Sequence, residues 1–148
     1  MKKIVTSLQR ILAVICILLT AFTLVSCEPK ETMTITEFTQ YRDLSRSPDK
    51  IKVHYEDDVI GDFEITERAV IDEIITILFD RTVFRIAEDG PSAGNNGRMW
   101  LVYGEKEVRI NLYVIIDSRT KARYLKGSSE LLLALRDYGM EKGLLVER

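Results

Sequence analysis

From Val108 to Ile116 the chain alternates without a break. Val108, Ile110, Leu112, Val114 and Ile116 fall on one side, and Arg109, Asn111 and Tyr113 on the other. A period of two is what a half-buried strand requires, because successive side chains point to opposite faces of a sheet. This stretch therefore predicts one continuous strand with an apolar face that something else must cover.

The flanking segments supply partners for that strand and a cover for its face. Ile51, Val53 and Tyr55 alternate with Lys52, His54 and Glu56, a second strand pattern. A turn through Asp57, Asp58 and Gly61 leads to Phe63-Glu64-Ile65, and the two runs should pair as a hairpin. Thr66 is placed to cap a helix over residues 67–79, in which Ile71, Ile74, Ile75, Leu78 and Phe79 recur at helical spacing. Isoleucine has modest helix propensity, so burial against a sheet must hold this helix. Thr82 to Ala87 reads as a strand, followed by a loop over residues 88–97. Arg98 to Tyr103 is apolar on both faces and suits a central position, and Gly104-Glu105 can turn it into the alternating stretch. Asp117-Ser118-Arg119 should turn the chain into a last strand over residues 122–125. Ser128 or Ser129 can cap a final helix, with Leu131, Leu132, Leu135 and Tyr138 inward and Gly139 as its stop. Near the start of the domain, Thr36 is placed to cap one or two helical turns. The expected fold is α+β: an antiparallel sheet of about five to six strands with two amphipathic helices on one face, in the order β-β-α-β-β-β-β-α.

The first residues follow a different logic. Lys2, Lys3 and Arg10 make a basic start, and from Ile11 to Val25 the chain is apolar or small except for Thr20 and Thr23. That run suits the core of a signal peptide and falls short of the roughly 20 residues of a spanning helix. It ends in Leu24-Val25-Ser26-Cys27, which resembles the lipobox of bacterial lipoproteins. The resemblance covers residues 1–27. It implies cleavage between Ser26 and Cys27 and a diacylglyceryl group on the Cys27 thiol, with the domain held on the outer face of the bacterial cell membrane. Two acyl chains suffice for stable anchoring where one is marginal. The implied organisation is a removed signal peptide at 1–26, a lipidated tether at 27–35 and a single globular domain at 36–148. The order of hairpin, isoleucine-rich helix and meander also resembles, as a pattern, small uncharacterised lipoproteins of Gram-positive bacteria. That likeness carries no functional residues over.

Cysteine and charge then narrow the chemistry. Cys16 lies within the signal and Cys27 at its end, so a processed domain has no thiol free for a disulfide, metal or nucleophile. Removing Lys2, Lys3 and Arg10 leaves 18 basic residues against 23 acidic ones, a net of −5. Nucleic-acid binding, which needs a basic face, is disfavoured.

The remaining candidates are few. His54 is the single histidine, on the strand face of Lys52 and Glu56, with no Ser-His-Asp order or G-x-S-x-G elbow in the chain. Glu56, Asp57, Asp58, Asp62 and Glu64 gather at the hairpin tip without the spacing of a calcium loop, so no metal site is expected. The loop holding Gly90, Ser92, Asn95 and Asn96 lacks G-K-[ST] and opens a strand, which rules out a phosphate-binding loop; it reads as a flexible connection turning at Asn96-Gly97 or as an adaptable recognition loop. Arg119, Lys121 and Arg123 should share a face of the last strand, with Lys126 nearby, either as the solvent face of an edge strand or as a cationic stripe for anionic lipid, wall polymer or an acidic partner. Trp100 and Tyr113 are expected in the core or at its edge.

With no catalytic constellation and no cofactor motif, the expectation is a non-enzymatic binding or accessory module. Its partners would be the membrane, through diacylglyceryl-Cys27, and an envelope protein or wall component, but no nucleic acid. The alternatives are a structural or immunity-type envelope lipoprotein, or a small hydrolase using carboxylates such as Glu88 and Asp89.

Overall fold

A computed structural model describes residues 29–56, 59–87, 97–126 and 130–147. The strands are β1 (Thr32–Thr34), β2 (Lys50–Glu56), β3 (Val59–Ile65), β4 (Val83–Ile86), β5 (Gly97–Tyr103), β6 (Lys106–Asn111), β7 (Val114–Ile116), β8 (Arg123–Lys126) and β9 (Val146–Glu147). The helices are α1 (Arg68–Thr76), which continues through a π turn at Ile77–Arg81, and α2 (Glu130–Glu141). The class is α+β and every strand pair is antiparallel, as expected. The strands divide between two sheets, a four-stranded one in the order β1-β4-β8-β7 and a five-stranded one in the order β6-β5-β2-β3-β9.

The division arises inside the alternating stretch. β6 pairs with β5 as far as Asn111, opposite Arg98. The chain bends at Leu112 and Tyr113, and β7 then pairs with β8 in the other sheet. The bend shifts the alternation by one residue. Leu112 is buried, but Ile115 then points inward at 2% exposure and Ile116 outward at 50%. The single strand expected from Val108 to Ile116 is thus two, and Ile116 does not share the buried face. The corner is closely packed: at Gly97 an added Cβ would stand 3.0 Å from Leu112 Cδ1 and 3.1 Å from Tyr113 Cε2.

The hairpin forms as read, with Val53 opposite Phe63 and His54 opposite Asp62. β5 lies between β6 and β2, as its two apolar faces suggest. Gly104, at a φ of 59°, opens the β5–β6 turn, a conformation that glycine adopts without steric cost.

Residues 32–35, expected in the tether, belong to the fold. β1 pairs with β4, and Met33 and Ile35 are buried. The helical turns expected near Thr36 are 3₁₀ turns at Ile35–Glu37 and Thr39–Tyr41. Thr34 takes the capping position instead of Thr36, donating its amide to Glu37 Oε2 at 2.9 Å. Phe38, fully buried, meets Phe84 and Tyr124 edge-to-face at ring distances of 5.5 and 5.3 Å. Gln40 ties this segment to the end of β7, donating to Ile116 O at 2.7 Å and accepting from Ser118 N at 3.2 Å.

All five residues of the predicted α1 stripe are buried, and the π turn brings Ile77 in with them. The turn ends on Thr82, which donates both its amide and its hydroxyl to Ile77 O. Thr66 does not cap α1. Glu67 holds the cap position with no side-chain cap bond, since its carboxylate is taken by Tyr138 and Lys142. Gly139 does not stop α2 either. The helix runs on to Glu141 and ends at Gly143, whose φ is 67°. There Leu144 N donates to Gly139 O and Gly143 N to Met140 O, a Schellman ending. Gly139 is buried beneath Leu145 and Phe63.

Candidate binding surfaces

Several predicted site residues lie outside the described residues. These are Ser26, Cys27, Asp57, Asp58, Glu88, Asp89, Gly90, Ser92, Asn95 and Asn96. Gly97, at the end of the expected recognition loop, is a buried strand residue.

His54 lies on the outward face of the five-stranded sheet, as its register implied. Its Nδ1 is 2.7 Å from Asp62 Oδ1 and its Nε2 is 3.4 Å from Glu56 Oε2. Beside it Lys50 donates to Glu64 at 2.8 Å and Lys52 to Glu107 at 2.5 Å. Of the hairpin acids that are described, Glu64 is engaged by Lys50 from the neighbouring strand, and Asp62 and Glu56 lie against the His54 ring. Such exposed pairs contribute little each to stability. Trp100 is half-buried on this same face, between Lys52 and Arg109 in the register. Tyr113 is half-buried at the corner. Among the described residues no cluster of three His, Cys, Asp or Glu side chains is placed to hold a metal ion.

Arg119, Lys121 and Arg123 do not form one strand face. The turn after β7 is longer than expected, and Lys121 sits at a φ of 62°, outside any strand. Asp117 builds this turn: Thr120 donates its amide and hydroxyl to Asp117 Oδ2 at 2.9 and 2.7 Å. Burial pushes the Asp117 carboxyl up, but the Thr120 hydrogen bonds and the nearby Arg119 outweigh it and hold it below the ordinary aspartate value. Arg119 and Lys121 are exposed in the turn, and Arg123 opens β8.

The register places Arg123 on a different surface, the outward face of the four-stranded sheet. Thr32 is opposite Arg85, Arg85 opposite Leu125, Leu125 opposite Val114, and Arg123 opposite Ile116. With Val83 and Thr34 these make a face of aliphatic residues and two arginines. Val83, Leu125 and Ile116 are 37%, 36% and 50% exposed. No Asp or Glu occupies an outward position in these four strands.

A groove of about 760 Å³ runs between the two helices. Val70, Glu73, Ile74 and Ile77 of α1 and its π turn line one wall, and Glu130, Leu133, Ala134, Asp137, Tyr138 and Glu141 of α2 the other. Each set has the i, i+3, i+4, i+7 spacing of one helix stripe. The helices are antiparallel, since both ends of the groove are tied across it. Arg81 donates to Glu130 at 2.7 Å at one end. At the other, Tyr138 donates to Glu67 and Lys142 bonds the same carboxylate at 3.1 Å. The hydrogen bond to Glu67 pushes the Tyr138 hydroxyl up to about 12 and pulls the Glu67 carboxyl down. Between the ties the lining is apolar and acidic, with Leu133 48% exposed and no Lys or Arg among the described lining residues. The sequence marked the inward stripes of both helices, but this second stripe exists only because the helices lie side by side.

Comparison of the chain with protein-family models, curated proteins and solved structures finds no match.

Proposed function

We propose that this protein is an extracytoplasmic lipoprotein, anchored through diacylglyceryl-Cys27, whose folded part is a non-enzymatic binding module. The anchor reading rests on the basic start, the apolar run and the Leu24-Val25-Ser26-Cys27 box. The binding reading is carried by the α1–α2 groove, with its apolar floor and the carboxylates of Glu73, Asp137 and Glu141 along it. The complementary ligand is a polypeptide segment presenting apolar side chains flanked by lysine or arginine, laid into the groove as an amphipathic helix. Electrostatic complementarity would speed encounter and select against acidic segments, while Leu133 and Val70 would supply the buried area.

Two experiments test the two halves. Cys27→Ala in the full chain should leave the membrane fraction and lose incorporated fatty acid; retention of both would overturn the anchor. A leucine-lysine amphipathic peptide, followed by fluorescence anisotropy, should bind residues 29–148, and its leucine-glutamate counterpart should not. Leu133→Asp and the triple change of Glu73, Asp137 and Glu141 to Lys should each abolish binding. Equal binding of both peptides, or binding that survives both variants, would overturn the groove.

A further inference from the structure

The outward face of the four-stranded sheet leaves Val83, Leu125 and Ile116 exposed, and its chemistry differs from that of the rest of the chain. The chain as a whole is acidic. This face carries Arg85 and Arg123 among Val83, Val114, Ile116 and Leu125, and the adjoining turn adds Arg119 and Lys121, all four cations exposed. Arginines with apolar stems among exposed aliphatics suit a boundary between hydrocarbon and charged headgroups. Among the described residues the nearby carboxylates are Glu37, engaged by Lys30 at 2.6 Å, and Glu31 at the β1 edge, and Asp117 in the turn, which Thr120 engages beside Arg119.

Chain length gives the face a neighbour. β1 is an edge strand of this sheet and starts at Thr32. Five peptide units separate it from Cys27, a reach of at most about 18 Å. A lipid on Cys27 would thus keep the β1 edge of this sheet within that reach of the bilayer.

We infer that the outward face of the β1-β4-β8-β7 sheet rests on an anionic phospholipid surface, with Arg85, Arg119, Lys121 and Arg123 on headgroup phosphates and Ile116 and Leu125 at the acyl boundary. The orientation rests on the lipoprotein reading, whereas the surface chemistry does not. The two can be tested apart. Residues 29–148 contain every residue of the described core, from Met33 to Leu145.

The experiment is co-sedimentation of residues 29–148, which carry no lipid, with vesicles of phosphatidylcholine alone or with a third phosphatidylglycerol, at millimolar lipid. Binding to the anionic vesicles is expected, with loss at high salt. Neutralising each cation should weaken partitioning about fivefold, so Arg85→Gln with Arg123→Gln should weaken it roughly 25-fold. Ile116→Ser with Leu125→Ser should weaken it as well, and circular dichroism checks that each variant remains folded. Partitioning that ignores lipid charge, or that survives both double variants, would overturn the inference. So would a dimer in sedimentation equilibrium that these same variants dissociate, because the face would then belong to a second copy. Failure here with Cys27 lipidation intact would remove the docked face and leave the anchor standing.

Discussion

Gly139 of α2 lies directly against Leu145, the buried residue just beyond the helix end. A Cβ at 139 would stand 2.6 Å from Leu145 Cδ1 and 3.0 Å from Phe63 Cε1. The close approach lets the helix end, the segment leading to β9 and the hairpin strand β3 share one packing point.

Gly139→Ala should therefore destabilise the protein although alanine is the better helix former. Helix propensity alone would favour the change by about 1 kcal/mol, while overpacking costs about 1–3 kcal/mol. Urea denaturation should show a net loss of stability. A gain would mean that Leu145 moves aside freely.

Ile115 and Ile116 should respond to truncation in opposite measure. Ile115→Ala removes a buried side chain and should cost about 2–4 kcal/mol, whereas Ile116→Ala should change stability by less than about 0.5 kcal/mol. An unbroken alternation from Val108 would require the reverse order, so one pair of denaturation curves decides between them.

Phe38→Ala should cost about 3–5 kcal/mol, since its ring packs edge-to-face on two buried aromatic rings. By the same reasoning, a chain starting at residue 42 should lack the native thermal transition that one starting at residue 29 retains. Equal melting of the two would show residues 29–41 to be an accessory strap.

Asp117 should leave a signature in the acid limb of stability. Its folded pKa is lowered, so the stabilisation is present above the unfolded value of about 3.9 and is lost as pH falls through the lower folded value. Glu37, Glu64, Glu67 and Asp80 are also lowered, chiefly by hydrogen bonds from Lys30, Lys50, Tyr138 and Arg46 respectively. These are exposed and weakened by salt, unlike the buried Asp117 turn. At high salt, Asp117→Asn should flatten the fall of melting temperature below about pH 4. An unchanged acid limb would assign it to other groups.

Periodicity and local signals were enough for the elements whose surroundings are set by near neighbours. The β2–β3 hairpin follows from two short alternating runs across a turn. The five-residue apolar stripe of α1 follows from spacing alone, and Gly104 from the need for a positive φ. Helix ends were less legible, because Glu67 and Gly139 answer to Tyr138 and Leu145, side chains far along the chain or beyond the helix. The expected cationic stripe failed for a related reason. Asp117 and Thr120 lengthen the turn and keep Arg119 and Lys121 out of β8, and only register with β4 brings Arg85 to the face of Arg123.

The sequence by itself determined an antiparallel α+β domain, the apolar faces of its hairpin and first helix, and the absence of cysteine chemistry after Cys27. Tertiary structure decided the break at Leu112–Tyr113, the two sheets, the groove between antiparallel helices and the outward face where Arg85 and Arg123 join Leu125 and Ile116. The physical reason is range. A side chain's alternation is set by bonds to its neighbours, but the sheet it joins is set by pairings such as Thr32 with Arg85 and Arg85 with Leu125, which no local pattern records.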